Sequence, residues 1–320
     1  MPPLTVLISN AFEPHHLQLL HERFPDVHFV ELAPDGMVPQ EGREAEILLR
    51  GAMSKAELSR TMQNAPQVRW IHTSTAGFDW VLVPEVEERG VLITRSPASK
   101  AVPIAEFVVA FIFLMAKRFP TLARAQIKHE WIRSDTDEVR GRTVGIVGAG
   151  AIGCEVARLC SHLGMHVIGS KRKPVSLPYF DQVLAPDDLP QLLSRADYVV
   201  ITCPLTSETE GLIGAPELRT MKKTAYLINV ARGGIVVEND LIQGLHEEWI
   251  AGACLDVFHE EPLPPDSPLW DIKNVIITPH ASWGSPRSMD YVLDEFMENL
   301  KRRLAGQELL NQPKNPALGY

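Results

Sequence analysis

The run Thr143-Val144-Gly145-Ile146-Val147-Gly148-Ala149-Gly150-Ala151-Ile152-Gly153 decides how this chain is read. A β-branched run enters a G-x-G-x-x-G turn, and Ile152–Leu163 behind it has helical spacing. Gly148 suits the tight turn, Gly150 lets the backbone approach a pyrophosphate, and Gly153 allows close packing of helix on strand. The pyrophosphate would lie against the helix N-terminus, where backbone N–H groups have no helical acceptor. A lone match is a weak signal. Here a second strand-like run, His166–Ser170, follows and completes a strand–helix–strand unit. Gly148, Gly150, Ala151, Ile152 and Gly153 are therefore the candidate dinucleotide loop. A flavin or methyltransferase glycine loop is the competing reading.

Outward from this loop the alternation continues. Leu189–Ser194 and Glu238–His246 read as helices. Tyr198–Cys203, Ala225–Val230, Gly252–Val257 and Val275–Thr278 read as strands. Upstream, Thr5–Ile8, Val27–Glu31, Glu46–Arg50, Val68–Thr73 and Gly90–Thr94 are strand-like, with helices expected at Pro14–Phe24 and Ser54–Met62. Such alternation predicts α/β architecture with parallel sheets. The breaker-rich Ser96-Pro97-Ala98-Ser99 places a domain boundary near Ser99, before an apolar helix over Pro103–Lys117. Arg287–Leu304 reads as one long helix that returns to the first domain. The expected division is 1–99, 100–286 and 287–320, the first and last parts forming one discontinuous domain.

Lys and Arg number 31 against 40 Asp and Glu, a net charge of −9, which argues against a broad basic face for nucleic acid. The apolar stretch from Phe107 to Ala116 falls short of the ~20 residues a membrane span needs, so it reads as a buried helix. The N-terminus lacks the pattern of a signal peptide. Cys154, Cys160, Cys203 and Cys254 show no finger spacing, and no clustered metal motif occurs. The expectation is no metal, no membrane, and a cytoplasmic setting that keeps thiols reduced.

The end of the second strand bears on cofactor choice. NAD enzymes carry Asp or Glu there for the ribose 2′-hydroxyl. This chain has Ser170-Lys171-Arg172-Lys173. A carboxylate would repel a 2′-phosphate, whereas a hydroxyl and cations bind it by charge-assisted hydrogen bonds. The reading is NADP(H), with NAD(H) as the alternative; a solvated basic turn competes with both.

Three later strands end in polar residues: Asn229-Val230-Ala231-Arg232-Gly233-Gly234, Asp256-Val257-Phe258-His259-Glu260-Glu261-Pro262, and Thr278-Pro279-His280. Ligands of such sheets bind outside the carboxyl ends of the strands. An arginine can clamp a carboxylate bidentately, and a histidine oriented by a carboxylate can move a proton near neutral pH. Taken singly, each has a plainer explanation: a loop arginine, a surface acid, a strand-end cap, a core histidine. His72, His166 and His259 keep the core-histidine explanation.

These blocks, with Val147–Gly153, Pro204-Leu205-Thr206, Leu227–Gly234, Ala251–Pro264 and Ile277–Ala281, resemble the D-isomer-specific 2-hydroxyacid dehydrogenase family; Thr75–Asp79 and Ala105-Glu106 match more loosely. The resemblance implies two doubly wound parallel-sheet domains, a Rossmann nucleotide-binding domain inserted into a flavodoxin-like substrate domain, and a homodimer formed through the nucleotide domain. It implies that Arg232 binds the substrate carboxylate, that His280 is the acid/base and that Glu261 pairs with it. It implies Asp256 at the nicotinamide carboxamide, and Pro204, Thr209, Val230 and Ala231 on the cofactor side with Ser170, Lys171 and Arg172. Ala76 and Gly77 would bind the substrate carboxylate through backbone N–H groups, with Arg50 and Trp283 as further substrate-side candidates. The activity implied is reduction of a 2-ketoacid, of the glyoxylate/hydroxypyruvate reductase type. An NAD-dependent dehydrogenase for a larger acid and a dinucleotide-sensing binding protein are the alternatives.

Overall fold

The computed structural model describes residues 3–33, 36–74 and 81–312. Its contacts divide the chain into two compact units: residues up to Lys100 with those from Ser285 on, and Ala101–Gly284.

The first unit holds β1 (Thr5–Ile8), α1 (Pro14–Arg23), β2 (His28–Glu31), β3 (Ile47–Arg50), α2 (Lys55–Asn64), β4 (Trp70–Thr73), α3 (Pro84–Glu88) and β5 (Leu92–Arg95). The strands form a parallel sheet in the order β2-β1-β3-β4-β5, the flavodoxin-like order. Side chains alternate between its faces, as strand geometry requires. Leu7, Leu48, Ile71 and Ile93 face one core with Leu58 and Met62 of α2. Val6, Ile8, Ile47, Leu49 and Trp70 face the other. Local chemistry starts α2: Ser54 Oγ accepts from the Glu57 N–H, and the Glu57 carboxylate accepts from the Ser54 N–H.

The chain continues through α4 (Ala98–Ala116), α5 (Phe119–Ile127), β6 (Thr143–Val147), α6 (Ala151–His162), β7 (His166–Ser170), β8 (Gln182–Leu184), α7 (Leu189–Arg195), β9 (Tyr198–Ile201), α8 (Ala215–Thr220), β10 (Tyr226–Asn229), α9 (Glu238–His246), β11 (Gly252–Leu255), β12 (Val275–Ile277) and α10 (Ser288–Leu304). The seven strands β6 to β12 form a parallel sheet in the order β12-β11-β10-β9-β6-β7-β8, the Rossmann order with one strand added. One face packs on α7, α8 and α9, and the other on α4 and α6. Val199 and Ile201 point to the first, Tyr198 and Val200 to the second. Each fully buried Leu, Ile or Val side chain contributes about 1.5–3 kcal/mol. Helix α10 presents Val292, Leu293, Phe296 and Leu300 to the core around Val6, Ile8 and Leu20 in the first unit.

Helix α4 differs from expectation. It begins at Ala98, inside the stretch read as a breaker, and Pro103 lies within it. Proline removes the donor to the Ser99 carbonyl, but the apolar stripe continues on both sides. Ala101, Ile104, Ala105, Val108, Phe111, Ile112 and Met115 are buried at helical spacing. At 19 residues and a mean hydropathy of 1.8 the helix is long and apolar enough to cross a membrane by length and composition, with 50% of that window buried inside the protein.

Candidate active site

Strand register aligns the site. Ser170 and Ile201 both pair with Val147, Ile201 with Asn229, Asn229 with Leu255, and Leu255 with Ile277. The next residue of each strand therefore lies in one row along the carboxyl edge: Lys171, Gly148, Thr202, Val230, Asp256 and Thr278. The strand order reverses between β6 and β9, which is where α/β sheets open a ligand crevice.

The glycine turn is built for close approach. Gly148 has φ +107°, and a Cβ there would lie 2.6 Å from the Cys203 backbone nitrogen. A Cβ on Gly153 would overlap the Gly148 carbonyl oxygen. A Cβ on Gly150, the residue that caps α6, would meet no described atom within 4 Å. The turn is tied to the end of β7 at two points. The Ala149 N–H donates to the Ser170 carbonyl at 2.8 Å, and Lys171 Nζ donates to the Ala149 carbonyl at 2.8 Å. Open space over Gly150 and the free N–H groups of the α6 N-terminus fit a dinucleotide pyrophosphate. Ala151 and Ile152 form the first turn of that helix. Thr209 shapes the opposite wall. Its hydroxyl donates to the Pro204 carbonyl at 2.7 Å and accepts from the Thr206 N–H at 2.8 Å. Cys154 and Cys203 lie near the turn, and burial pushes both thiols up, Cys203 to about 11.

At the other side of the row, His280 Nδ1 lies 2.7 Å from Glu261 Oε2. The same carboxylate accepts the Phe258 N–H through Oε1 at 3.0 Å. Among the described residues, His280 Nε2 has no hydrogen-bond partner, and the side chain is 40% exposed. His280 has φ +52°, a left-handed conformation uncommon outside glycine. Its N–H donates to the carbonyls of Asp256 and Thr278 at 2.8 and 3.0 Å.

Asp256 supports this turn. It is fully buried; Oδ1 accepts from Thr278 Oγ1 at 2.6 Å and from the Ala281 N–H at 2.9 Å, and Oδ2 accepts from the Ser282 N–H at 3.0 Å. The resemblance implies Asp256 on the cofactor side; its described side-chain hydrogen bonds all go to the His280 turn. Thr278 escaped notice because a strand-end threonine carries no signal of its own.

Arg232 is exposed and donates through Nη1 to the Ala231 carbonyl at 2.6 Å. Its turn, which includes Val230 and Ala231, is set by Asn229. That side chain accepts from the Ala231 N–H at 3.1 Å and donates to the Arg232 carbonyl at 3.0 Å. Asn229 is 1% exposed, another positioning residue missed in the sequence. Gly233 packs so tightly on the backbone of Phe258 and His259 that no Cβ fits. One run of contacts thus joins Arg232, Phe258, Glu261, His280 and Asp256.

The remaining candidates have the following surroundings. Ala76 and Gly77 lie outside the described residues. Arg50, in the first unit, is 2% exposed; its Nη1 donates to Thr73 Oγ1 at 3.0 Å and its Nη2 to the Met53 carbonyl, while Nε is buried with no partner among the described residues. Burial lowers this guanidinium to about 10. In the structure it braces the turn after β3. Trp283 follows His280 and is half exposed. His166 and His259 are surface residues, contrary to the core reading, whereas His72 is fully buried. His15, His16 and Asp290 place ligand-type atoms within 4.8 Å of one another. His16 Nδ1 accepts from the Glu13 N–H, so Nε2 carries the proton given to Asp290 and has no lone pair for a metal.

Comparison with known proteins agrees with this geometry. Residues 109–282 match the family described as D-isomer specific 2-hydroxyacid dehydrogenase, NAD binding domain. A glyoxylate reductase of Thermococcus gammatolerans is 34% identical over 89% of this chain and 89% of its own length. A D-isomer specific 2-hydroxyacid dehydrogenase from Xanthobacter autotrophicus, solved with NADPH and MES, superposes with TM-score 0.80 at 30% identity, covering 100% of both chains. The NADPH-dependent glyoxylate/hydroxypyruvate reductase of Sinorhizobium meliloti, solved with NADP and sulfate, gives TM-score 0.78 at 26% identity, covering 99% of this chain and 100% of its own. With its carboxyl-edge crevice, glycine turn and these matches, the chain belongs to the D-isomer specific 2-hydroxyacid dehydrogenase family and is an NAD(P)-dependent oxidoreductase.

Proposed function

We propose that the protein reduces a small 2-ketoacid to the D-2-hydroxy acid with NADPH. The observation that carries this reading is the His280–Glu261 pair at 2.7 Å, linked through the Phe258 backbone to the turn of an exposed arginine. Glyoxylate reductases among the relatives, and two solved neighbours with NADPH or NADP, support it.

The chain's residues divide the work. Gly148, Gly150, Gly153 and the start of α6 would hold the pyrophosphate, and Lys171 and Arg172 the 2′-phosphate. When bound, the nicotinamide supplies a hydride to the carbonyl carbon. Arg232 clamps the substrate carboxylate with its guanidinium fork and orients the carbonyl. His280, doubly protonated, gives the Nε2 proton to the carbonyl oxygen as charge develops there. Glu261 accepts the Nδ1–H throughout, which fixes the ring and stabilises the imidazolium. Asp256 and Thr278 keep the His280 turn in place.

The partner we propose is a second copy. Phe119, Ile127, Trp131 and Ile132, on α5 and the segment after it, are exposed, Trp131 by 94%. Such apolar exposure fits an interface within the nucleotide-binding unit. The four thiols are unpaired, which fits the cytoplasm.

The test is loss of reduced-nicotinamide absorbance with glyoxylate, hydroxypyruvate and phenylpyruvate, each with NADPH and NADH. Turnover faster with NADPH is expected. Tight NADPH binding with no oxidation by any 2-ketoacid would overturn the reading in favour of a dinucleotide-sensing protein.

A further inference from the structure

The turns leaving β7 and β9 stand on either side of the glycine turn at the end of β6. They start level, because Ser170 and Ile201 pair with the same residue of β6. Lys171 lies back along the glycine turn, on the Ala149 carbonyl. Arg172 instead reaches to the other turn, where its Nη2 lies 3.1 Å from Glu208 Oε2. Glu208 stands on fixed backbone: the Thr209 hydroxyl staples residues 204–209, and the Glu208 N–H donates to Thr206 Oγ1 at 3.3 Å.

We infer that Glu208 is a specificity-determining residue for the dinucleotide, holding Arg172 in an ion pair for which the 2′-phosphate must compete. This inference rests on the reading of Lys171 and Arg172 as the 2′-phosphate cations. A phosphate that engages the Arg172 fork has to displace the carboxylate from it. A ribose 2′-hydroxyl carries no charge, does not compete for the fork and meets no such penalty. Glu208 therefore narrows the advantage of NADPH over NADH, from a position no nicotinamide-end residue shares. It occupies neither strand-end position from which cofactor choice is ordinarily read, being 36 residues beyond Arg172 in the chain.

The size of the effect follows from exposure. The two side chains are 50% and 71% exposed, so solvent weakens the pair. Exposed pairs of this kind correspond to about a two- to fivefold change in an equilibrium.

The experiment compares kcat/KM for NADPH and NADH in the wild type, Glu208→Gln, Arg172→Ala, their combination, and Lys171→Ala with Arg172→Ala. Glu208→Gln is expected to raise the NADPH-to-NADH ratio about two- to fivefold. The gain should shrink with added salt and vanish when Arg172 is alanine. An unchanged ratio in Glu208→Gln, with NADPH use impaired in the Lys171/Arg172 variant, overturns the role of Glu208 alone. A gain that persists without Arg172, or that is equal for both cofactors, also overturns it. If the Lys171/Arg172 variant keeps its NADPH KM, the phosphate-site reading falls and this inference falls with it.

Discussion

His72 in β4 and His280 after β12 carry the same imidazole into opposite settings. His72 is fully buried, with Thr94 Oγ1 and Ser96 Oγ each 2.7 Å from its ring nitrogens. Burial pushes it down to about 3, so it stays neutral. His280 is part exposed, holds one nitrogen on a carboxylate and keeps the other clear of the described residues. Hydroxyl partners on both nitrogens make a histidine a structural strut. A carboxylate on one nitrogen and access to the other suit it to the proton donation proposed for it. The partners, more than the residue, assign the role.

The comparison breaks most decisively at His280. His280→Ala is expected to lower kcat about 10²–10⁴-fold with little change in Tm, read by steady-state rates and thermal unfolding. A near-normal kcat would remove His280 from the chemistry. Glu261→Gln keeps an acceptor for Nδ1–H but removes the charge. A charged hydrogen bond is worth about 1.5–3 kcal/mol, so kcat should fall about 10–100-fold.

His72 sharpens the contrast from the other side. His72→Leu leaves the Thr94 and Ser96 hydroxyls without their ring partners, and should cost about 1–3 kcal/mol of stability in denaturant unfolding. The kcat of the folded fraction should hold. The last effect is a slope. Unfolded chain binds a proton at His72 near 6.5 and folded chain only near 3, so the unfolded state holds more protons between these values. The stability His72 contributes is full above about 6.5 and is lost as pH falls toward 3. His72→Leu should remove that part of the acid slope; an identical slope in the variant would show that other groups set it.

The distinction was partly legible in the sequence. The glycine turn, the strand runs and the Arg232, Glu261 and His280 segments stand out because their spacing is local. His72 carries no mark that separates it from His280. Its two hydroxyl partners are 22 and 24 residues away and meet it only through the β4–β5 register. The turn contacts of Asp256 are hidden in the sequence for a similar reason. A carboxylate one residue past a strand looks the same whether it faces a ligand or a neighbouring turn, and the left-handed step at His280 brings that turn back to it. Strand β8 went unread because it has only three residues at the sheet edge. Helix α5 went unread because it restarts behind Arg118, a non-glycine at φ +53° that a periodicity count does not anticipate.

The Asp256 carboxylate also bears on motion. Irregular turns usually exchange their amide hydrogens quickly, since water reaches them. Here the amides of Ala281 and Ser282 end on a carboxylate that water does not reach, and that of His280 on the Asp256 carbonyl. These three amides should exchange as slowly as those of a strand. The ring proposed to donate the proton would then rest on a rigid seat before any ligand arrives, so binding would carry no cost for ordering it.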